Sequence, residues 1–264
     1  MKIYLISLGQ DTLRRTELAQ RFPKTYPIMQ WVKAVNGKDL SAKEYFSYAR
    51  QYFNTHQKII TPSEVGCTLS HINALEFFLE TDEEYCLILE DDVIGNDENI
   101  SYIESLIEQL NPNGLILCGG QEGLNFWKYI LGKNILENFY KIPVFSIKFL
   151  FRTCSYVVDK KTAKYILKRQ QQNFEVADAW YTIFKDSNIP FLYLDLFKHP
   201  EDLSNSHIEN ERANFYMEEM NFFKRIYKQG VFWKIYNRIR NDLFRWVLIL
   251  KGHKQIHKQR ENDD

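Results

Sequence analysis

The chain has 264 residues, of which 45% are hydrophobic and 15% aromatic, enough for one large α/β domain or for a domain with an appendage. Its 34 basic and 34 acidic residues balance overall, but residues 224–260 contain 11 Lys or Arg and a single acid, Asp242. An acidic body therefore carries a basic tail, which indicates an anionic surface as a partner.

The sequence lacks the patterns of a secreted, disulfide-bonded or membrane-spanning protein. The apolar run in the opening MKIYLISLGQ is too short for a signal peptide and is typical of a strand. No stretch reaches the ~18 apolar residues that a spanning helix needs. The cysteines at positions 67, 86, 118 and 154 are widely spaced, which favours reduced core thiols over a disulfide framework or a zinc site. We therefore expect a cytoplasmic protein.

Strands and helices are predicted to alternate along the chain. The first half is predicted to contain a strand at Ile3–Leu8, a helix at Thr12–Phe22, a strand at Met29–Val35, a loop or short helix within residues 38–60, a helix from Thr61 to about Glu80, and a strand at Tyr85–Leu89. The second half is predicted to contain a helix at Ile100–Leu110, strands at Leu115–Cys118, Val144–Leu150 and Ser155–Val158, a helix from near Asp159, a helix at Ala177–Lys185, a strand at Phe191–Leu196, and a polar loop at His199–Asn210.

The helix after Thr61 has the clearest start, because Thr61, Pro62 and Glu64 form the pattern of a capping box. Alternation of strands and helices predicts an open α/β sheet, in which ligands bind outside the carboxyl ends of the strands.

Three adjacent carboxylates, Glu90, Asp91 and Asp92, follow the apolar run CLIL at residues 86–89. Like charges at a strand end repel one another, and partial burial raises their pKa values, so a positive partner is expected nearby. The acid-x-acid pattern places Glu90 and Asp92 on the same side of the strand. Such hard oxygen ligands suit Mg²⁺ or Mn²⁺ bridged to phosphates. The alternative is a solvated acidic cluster that binds no ligand.

Four segments in order resemble one family of enzymes: SEVGCTLSH (63–71), CLILEDDV (86–93), TCSYVVDKKTA (153–163) and VADAWY (176–181). They are similar to the glycosyltransferases of family 25, which include bacterial lipooligosaccharide galactosyltransferases and, more distantly, collagen galactosyltransferases. The opening IYLISL with Arg14-Arg15 also looks like this family, and the resemblance covers residues 1 to about 210. It implies a GT-A-like open mixed sheet flanked by helices, a UDP-sugar donor, a divalent metal and an inverting transfer. One departure is Arg152, where the family often has glycine.

The resemblance implies roles for the acidic residues. Asp92 is the predicted direct metal ligand, and Glu90 is predicted to contact the metal, its waters or the ribose, with Asp91 beside the donor. Asp178 is the predicted base that takes the proton of the acceptor hydroxyl, with Glu175 as the fallback. An acid at a helix N-terminus, favoured by the helix dipole, is the alternative for Asp178. A further metal ligand is predicted at His207, in NSHIE.

Other residues are predicted to bind the donor. Glu64, Cys67 and His71 share one helix face that continues into apolar residues, so this face is mainly buried; the resemblance places Glu64, Ser70 or His71 at the donor side, and a core role is the alternative. Basic residues in a first helical turn are unfavourable without an anion. The remaining predicted donor-binding residues are Ser7, Arg14, Arg15, Thr153 and Tyr156, of which the arginines could instead form a surface pair and the tyrosine could belong to the core.

The C-terminal region, residues 222–264, is predicted to be separate from a catalytic domain at residues 1–221. Within it, apolar residues recur at helical spacing from Phe232 to Trp246, interleaved with Lys and Arg. A basic amphipathic helix with aromatics suits an anionic membrane surface. The alternatives are a helix that packs on the body and, without support from a recognised module, a nucleic-acid contact.

The leading hypothesis is a metal-dependent hexosyltransferase that moves galactose, or glucose, from a UDP-sugar to a lipid-linked lipooligosaccharide or lipopolysaccharide acceptor at the cytoplasmic face of the inner membrane. One alternative is a Mg²⁺-dependent phosphotransferase or phosphohydrolase that uses the same acidic triplet. The other is a membrane-associated adaptor with a degenerate sugar-nucleotide site and no activity.

Overall fold

A computed structural model describes residues 1–124, 126–200, 208–209, 211–212 and 231–256, with only the backbone of residues 231–234. Its strands are β1 (Lys2–Ser7), β2 (Gln30–Lys33), β3 (Tyr85–Glu90), β4 (Leu115–Gly119), β5 (Leu131–Leu136), β6 (Phe139–Lys141), β7 (Ser155–Asp159), β8 (Phe191–Phe197) and β9 (Lys254–Gln255). Its α-helices are α1 (Thr12–Arg21), α2 (Ala42–His56), α3 (Pro62–Leu79), α4 (Asp97–Leu110), α5 (Val144–Ile147), α6 (Lys160–Gln172), α7 (Trp180–Phe184) and α8 (Val231–Leu250).

These strands form one mixed sheet in the order β2-β1-β3-β7-β4-β8-β6-β5-β9. The β1–β2, β1–β3 and β4–β8 pairs are parallel, whereas β7 runs antiparallel between β3 and β4. Because β7 is antiparallel, its first residue, Ser155, pairs with Leu89 near the end of β3. The segment before β7 therefore lies at the same sheet edge as the acidic triplet. The predicted open mixed α/β sheet flanked by helices is confirmed.

The sheet is buried on both faces, since alternate residues of its central strands enter two different cores. Tyr4 and Ile88 lie in one core, with apolar side chains of α3, α6 and α7. Leu5 and Leu89 lie in the other core, with apolar side chains of α1 and α4. Burial on both faces explains why β3 is a continuous apolar run instead of an alternating one.

Most of the predicted elements are confirmed within a few residues, and the capping box at α3 is present, with Thr61 and Glu64 exchanging hydrogen bonds. The predicted strand at Val144–Leu150 is wrong, because Pro143 begins the short helix α5 there. A buried helix and a buried strand have the same apolar appearance over so few residues. The uncertain region 38–60 contains α2, which a second capping box starts at Ser41.

The β5–β6 hairpin was not predicted, because most of β5 is exposed and its sequence does not alternate clearly. Its turn places Asn138 at φ 56°, a left-handed conformation that asparagine tolerates well. β9, from the C-terminal region, extends the same sheet by pairing with β5. The predicted boundary near residue 221 lies outside the described residues and stays a prediction.

The four cysteines are all free thiols, and three of them are buried. The wide spacing of the cysteines in the sequence predicted such free core thiols. Among the described helices, none has the combination of length and apolar character that crossing a bilayer requires.

Candidate active site

A cavity of about 260 Å³ lies at the edge of the sheet where β1 and β3 end. The end of β3 supplies the acidic triplet. Because β7 is antiparallel to β3, the segment before β7 reaches the same edge and supplies Thr153. The cavity therefore lies where an open α/β sheet is expected to bind a ligand. Predicted site residues that line it are Ser7, Arg14, Glu64, Ser70, His71, Glu90, Asp91, Asp92, Thr153 and Asp178.

Glu90 is held by two hydrogen-bond donors at the cavity wall. Its Oε1 lies 3.2 Å from His71 Nε2 and also accepts a hydrogen bond from the Thr153 hydroxyl. His71 Nδ1 lies 3.1 Å from the Tyr156 hydroxyl, so Nε2 can donate to Glu90 while Nδ1 accepts from Tyr156. Burial raises the pKa of Glu90, but His71 and Thr153 more than offset this and keep the pKa below its usual value.

Asp91 is bound by a cation of the protein itself. Arg14 Nη1, in the first turn of α1, lies 3.0 Å from Asp91 Oδ1. Burial raises the pKa of Asp91, and hydrogen bonds from Ser7 and Arg14 limit that rise. The positive partner expected for the acidic triplet is thus supplied in part by Arg14, and Asp91 serves to join β3 to α1.

Asp92 is the acid of the triplet whose burial is least compensated. Its Oδ2 lies 3.7 Å from Arg14 Nη1 and 3.5 Å from His199 Nε2. Its buried Oδ1 has no hydrogen-bond partner among the residues that the structure describes. Burial and the charges of Glu90 and Asp91 raise the pKa of Asp92 to about 6. An orphaned buried carboxylate oxygen is costly unless another group binds it, which fits a cation in this cavity.

His199 follows β8, and no sequence pattern had singled it out. Its Nδ1 lies 2.8 Å from the carbonyl oxygen of Pro200, which can only accept, so Nδ1 carries the proton. In the neutral ring, Nε2 then presents a lone pair toward Asp92. Two electron-rich atoms that face each other at 3.5 Å are suited to share a cation.

A second group of donors lies deeper in the cavity wall. One ligand atom each from Cys67, His71 and Glu90 lies within 4.8 Å of the others. Burial raises the pKa of the Cys67 thiol well above its usual value, and a soft sulfur ligand suits Mg²⁺ or Mn²⁺ poorly. The Asp92 side of the cavity therefore fits a hard divalent cation better.

Asp178 lies just before α7 and lines the same cavity. Its Oδ2 accepts a hydrogen bond of 3.1 Å from the backbone N–H of Arg152. Burial raises the pKa of Asp178, and the Arg152 N–H and the charge of Arg212 oppose that rise. Arg152 has a φ of 63°, a region that strongly favours glycine. A glycine at position 152 would adopt this conformation without steric cost.

Three predicted site residues do not line the cavity. Glu175 is buried against His56, with 2.7 Å between Oε2 and Nε2, and cannot reach an acceptor in the cavity from there. Arg15 Nη1 donates to Ser7 Oγ at 2.8 Å, and its guanidinium lies over the Trp31 ring, so it fixes the end of β1. Tyr156 is buried in the core and contacts His71 from behind. His207 lies outside the described residues.

Glu64 and Ser70 line the cavity but are already engaged by the protein. Glu64 accepts from the Thr61 N–H at 2.8 Å and forms an ion pair of 2.7 Å with Arg212. Ser70 Oγ accepts from the Val35 N–H at 2.8 Å and donates to the Gly66 carbonyl at 2.7 Å. Both residues therefore support the shape of the cavity, and Arg212 is a cavity residue that sequence reasoning missed.

Residues 1–181 match the family model described as glycosyltransferase family 25 (LPS biosynthesis protein). The match covers more than half of the chain. The chain belongs to glycosyltransferase family 25.

Among curated proteins, a glycosyltransferase 25 family member of Anopheles gambiae is 32% identical over 96 residues, 34% of this chain and 16% of that protein. One of Aedes aegypti is 31% identical over 99 residues, with the same coverage. The aligned part thus spans about 16% of the length of these relatives. A structure of UDP-glucose pyrophosphorylase with UDP-glucose aligns at 13% identity over 82% of this chain and 98% of that chain, with a TM-score of 0.44.

Proposed function

We propose that this protein transfers a hexose, galactose or glucose, from a UDP-sugar to the hydroxyl group of a saccharide acceptor, with inversion at the sugar carbon. Membership of family 25 supports a glycosyl transfer, and the description of that family as an LPS biosynthesis protein supports a lipopolysaccharide or lipooligosaccharide acceptor. The single observation that carries the proposal is the buried Oδ1 of Asp92, which has no hydrogen-bond partner among the described residues and lies beside Glu90 and His199 in a cavity at the sheet edge.

The residues present fit a divalent metal. Asp92 and Glu90 would hold Mn²⁺ or Mg²⁺ through hard oxygen atoms, and His199 would add its Nε2. When bound there, the metal supplies Lewis-acid chemistry by neutralising negative charge on the departing nucleoside diphosphate. Arg14, which already pairs with the triplet, adds positive charge at the same side of the cavity.

Asp178 is proposed as the general base. During an inverting transfer the acceptor oxygen forms a bond to the sugar carbon as the bond from that carbon to the diphosphate breaks, and the acceptor proton passes to one base. Asp178 lines the cavity, and its raised pKa makes it a better proton acceptor than an exposed aspartate while it is ionised. The Arg152 N–H fixes the orientation of its carboxylate. Its contact with His56, outside the cavity lining, makes Glu175 a less suitable base than Asp178.

The proposal is tested by measuring UDP release from UDP-galactose and UDP-glucose, with Mn²⁺ and a lipooligosaccharide acceptor, together with the anomeric configuration of the product by NMR. We expect UDP release that depends on the acceptor and an inverted product. Asp178→Asn should stop transfer. Asp186 is exposed and lies outside the cavity, so Asp186→Asn should retain transfer. Release of inorganic phosphate instead of UDP would indicate a phosphotransferase or phosphohydrolase, and no turnover with any donor would indicate an adaptor.

A further inference from the structure

The surface helix α8 carries an exposed row of large apolar side chains. Spacings of three and four residues place them on one face of the helix. This apolar stripe consists of Ile235, Ile239, Leu243, Trp246 and Leu250. Ile239 and Leu243 are each 63% exposed and Leu250 is 84% exposed, so the stripe faces away from the rest of the described chain.

A flank of α8 beside the apolar stripe is attached to the body by specific contacts. Asp242 accepts hydrogen bonds from Lys128 Nζ at 3.1 Å and from the Tyr129 hydroxyl at 2.9 Å. Arg245 Nε donates to the Lys128 carbonyl at 3.1 Å, and the β9 strand after the helix pairs with β5. The body therefore holds α8 in an orientation that keeps the apolar stripe exposed. Exposed contiguous apolar surface of this kind marks an interaction site.

The charges around the stripe distinguish between possible occupants. Arg238, Arg240 and Arg245 lie on α8, and Asp242, its one acid in the sequence, already contacts Lys128. A second copy of the chain docked stripe against stripe would bring two sets of these basic residues together, and like charges oppose such an interface. An anionic lipid surface is complementary to both features, because it accepts apolar side chains and attracts arginine.

The exposure and the neighbours of Trp246 and Tyr236 also favour an anionic lipid surface. Both are half exposed or more, and the guanidinium groups of Arg245 and Arg240 lie 5.6 Å and 5.8 Å from the centres of their rings. Trp and Tyr have an apolar body and a polar tip, and they prefer the level of the lipid headgroups, where arginine also binds phosphate.

From these contacts and charges we infer that α8 is a membrane-docking helix that lies in the headgroup region of an anionic bilayer, with its apolar stripe inserted and with Arg238 and Arg240 at lipid phosphates. The inference is independent of the reaction proposed for the cavity. It also accounts for the predicted anionic partner of the basic tail. A protein docked in this way would meet a lipid-linked acceptor on the same surface.

The experiment is flotation of the full chain with vesicles of phosphatidylcholine, with and without phosphatidylglycerol, at low and high NaCl. We expect binding to the anionic vesicles that weakens at high salt, because salt screens the arginines. Leu243→Ser and Ile239→Ser should each weaken it about tenfold, through loss of inserted apolar surface. Leu13→Ser is the matched control, since Leu13 is 71% exposed on α1 and should leave vesicle binding unchanged.

Thermal unfolding of each variant checks that the fold is kept. Vesicle binding that is equal in Leu243→Ser and wild type, or that falls equally in Leu13→Ser, overturns the inference. Self-association that Leu243→Ser abolishes, without any vesicle binding, overturns it in favour of a second copy of the chain. UDP release measured on a soluble acceptor is a separate readout, so failure of the reaction and failure of membrane docking are distinguished.

Discussion

Replacing Asp92 by asparagine should stabilise the metal-free protein while it abolishes function. The pKa of Asp92 is raised from 3.8 to about 6 by burial and by the neighbouring charges of Glu90 and Asp91. At pH 7 this rise in the pKa corresponds to about 3 kcal/mol of unfavourable free energy for the ionised form. Asparagine keeps the size of the side chain and removes this charge, so we expect Asp92→Asn to be more stable than wild type by up to about 3 kcal/mol.

The pH dependence has a definite sign. Because the folded-state pKa of Asp92 lies above its unfolded value of 3.8, the protonated carboxyl favours the folded protein. The stability associated with Asp92 is therefore complete below about pH 4 and is lost as the pH rises through about 6. The advantage of Asp92→Asn should accordingly be absent at pH 4 and largest at pH 7.

Thermal unfolding in the presence of a chelator measures this difference. For a chain of this size about 3 kcal/mol corresponds to a rise in Tm of up to roughly 10 °C. Added Mn²⁺ should raise the Tm of wild type and leave that of Asp92→Asn unchanged, because only the wild-type cavity binds the ion. Equal Tm values for wild type and variant at pH 7 would refute the claim that the neighbouring cations leave the charge of Asp92 only partly compensated.

Asp97 provides a control, because its pKa is lowered where that of Asp92 is raised. It accepts hydrogen bonds from the backbone N–H groups of Lys24 and Thr25 at 3.0 Å and 2.9 Å. Burial acts to raise the pKa of Asp97, but these bonds and that of the Thr25 hydroxyl outweigh it and lower the pKa. Asp97→Asn should therefore destabilise the protein above about pH 4, where Asp92→Asn stabilises it.

The remaining predictions concern Asp178, Arg14 and Arg152. Asp178→Asn should keep the affinity for UDP and Mn²⁺ in calorimetry and lower kcat at least about 100-fold, as expected for loss of a general base; loss of UDP affinity would mean that the role is misassigned. Arg14→Gln should cost about 3 kcal/mol in urea unfolding, since it leaves the buried Asp91 carboxylate without its cation, and an unchanged midpoint would contradict that. At position 152, Gly should be more stable than Ala by about 1 kcal/mol, because φ is 63° there; equal stability would show that the backbone relaxes.

Local patterns in the sequence were sufficient to predict the centre of the fold and the acidic wall of the cavity. The apolar run before Glu90 predicts β3, and the capping box at Thr61 predicts the start of α3 within a residue. Both signals lie within a few consecutive residues. The hairpin β5–β6 has no such signal, because its stability comes from pairing with β8 and β9 and not from its own pattern.

The partners of the acidic residues could not be predicted, because they come from distant parts of the chain. Arg212 reaches Glu64 across 148 residues, and His199 reaches Asp92 from the end of β8. A basic residue or a histidine in a polar segment has no periodicity that indicates which carboxylate it will meet. For the same reason the sequence could not show that Glu175, the alternative base, is unsuitable. Its partner His56 lies 119 residues away in the chain and holds it outside the cavity.

The most direct test of the account is calorimetric titration with UDP in the presence of Mn²⁺ and again with chelator, for wild type and for Asp92→Asn. We predict binding of UDP to wild type that requires Mn²⁺, and loss of that binding in Asp92→Asn while the variant remains folded. UDP binding that is equal with Mn²⁺ and with chelator, or that survives in Asp92→Asn, would contradict the claim that the acidic triplet holds a nucleoside diphosphate through a divalent cation.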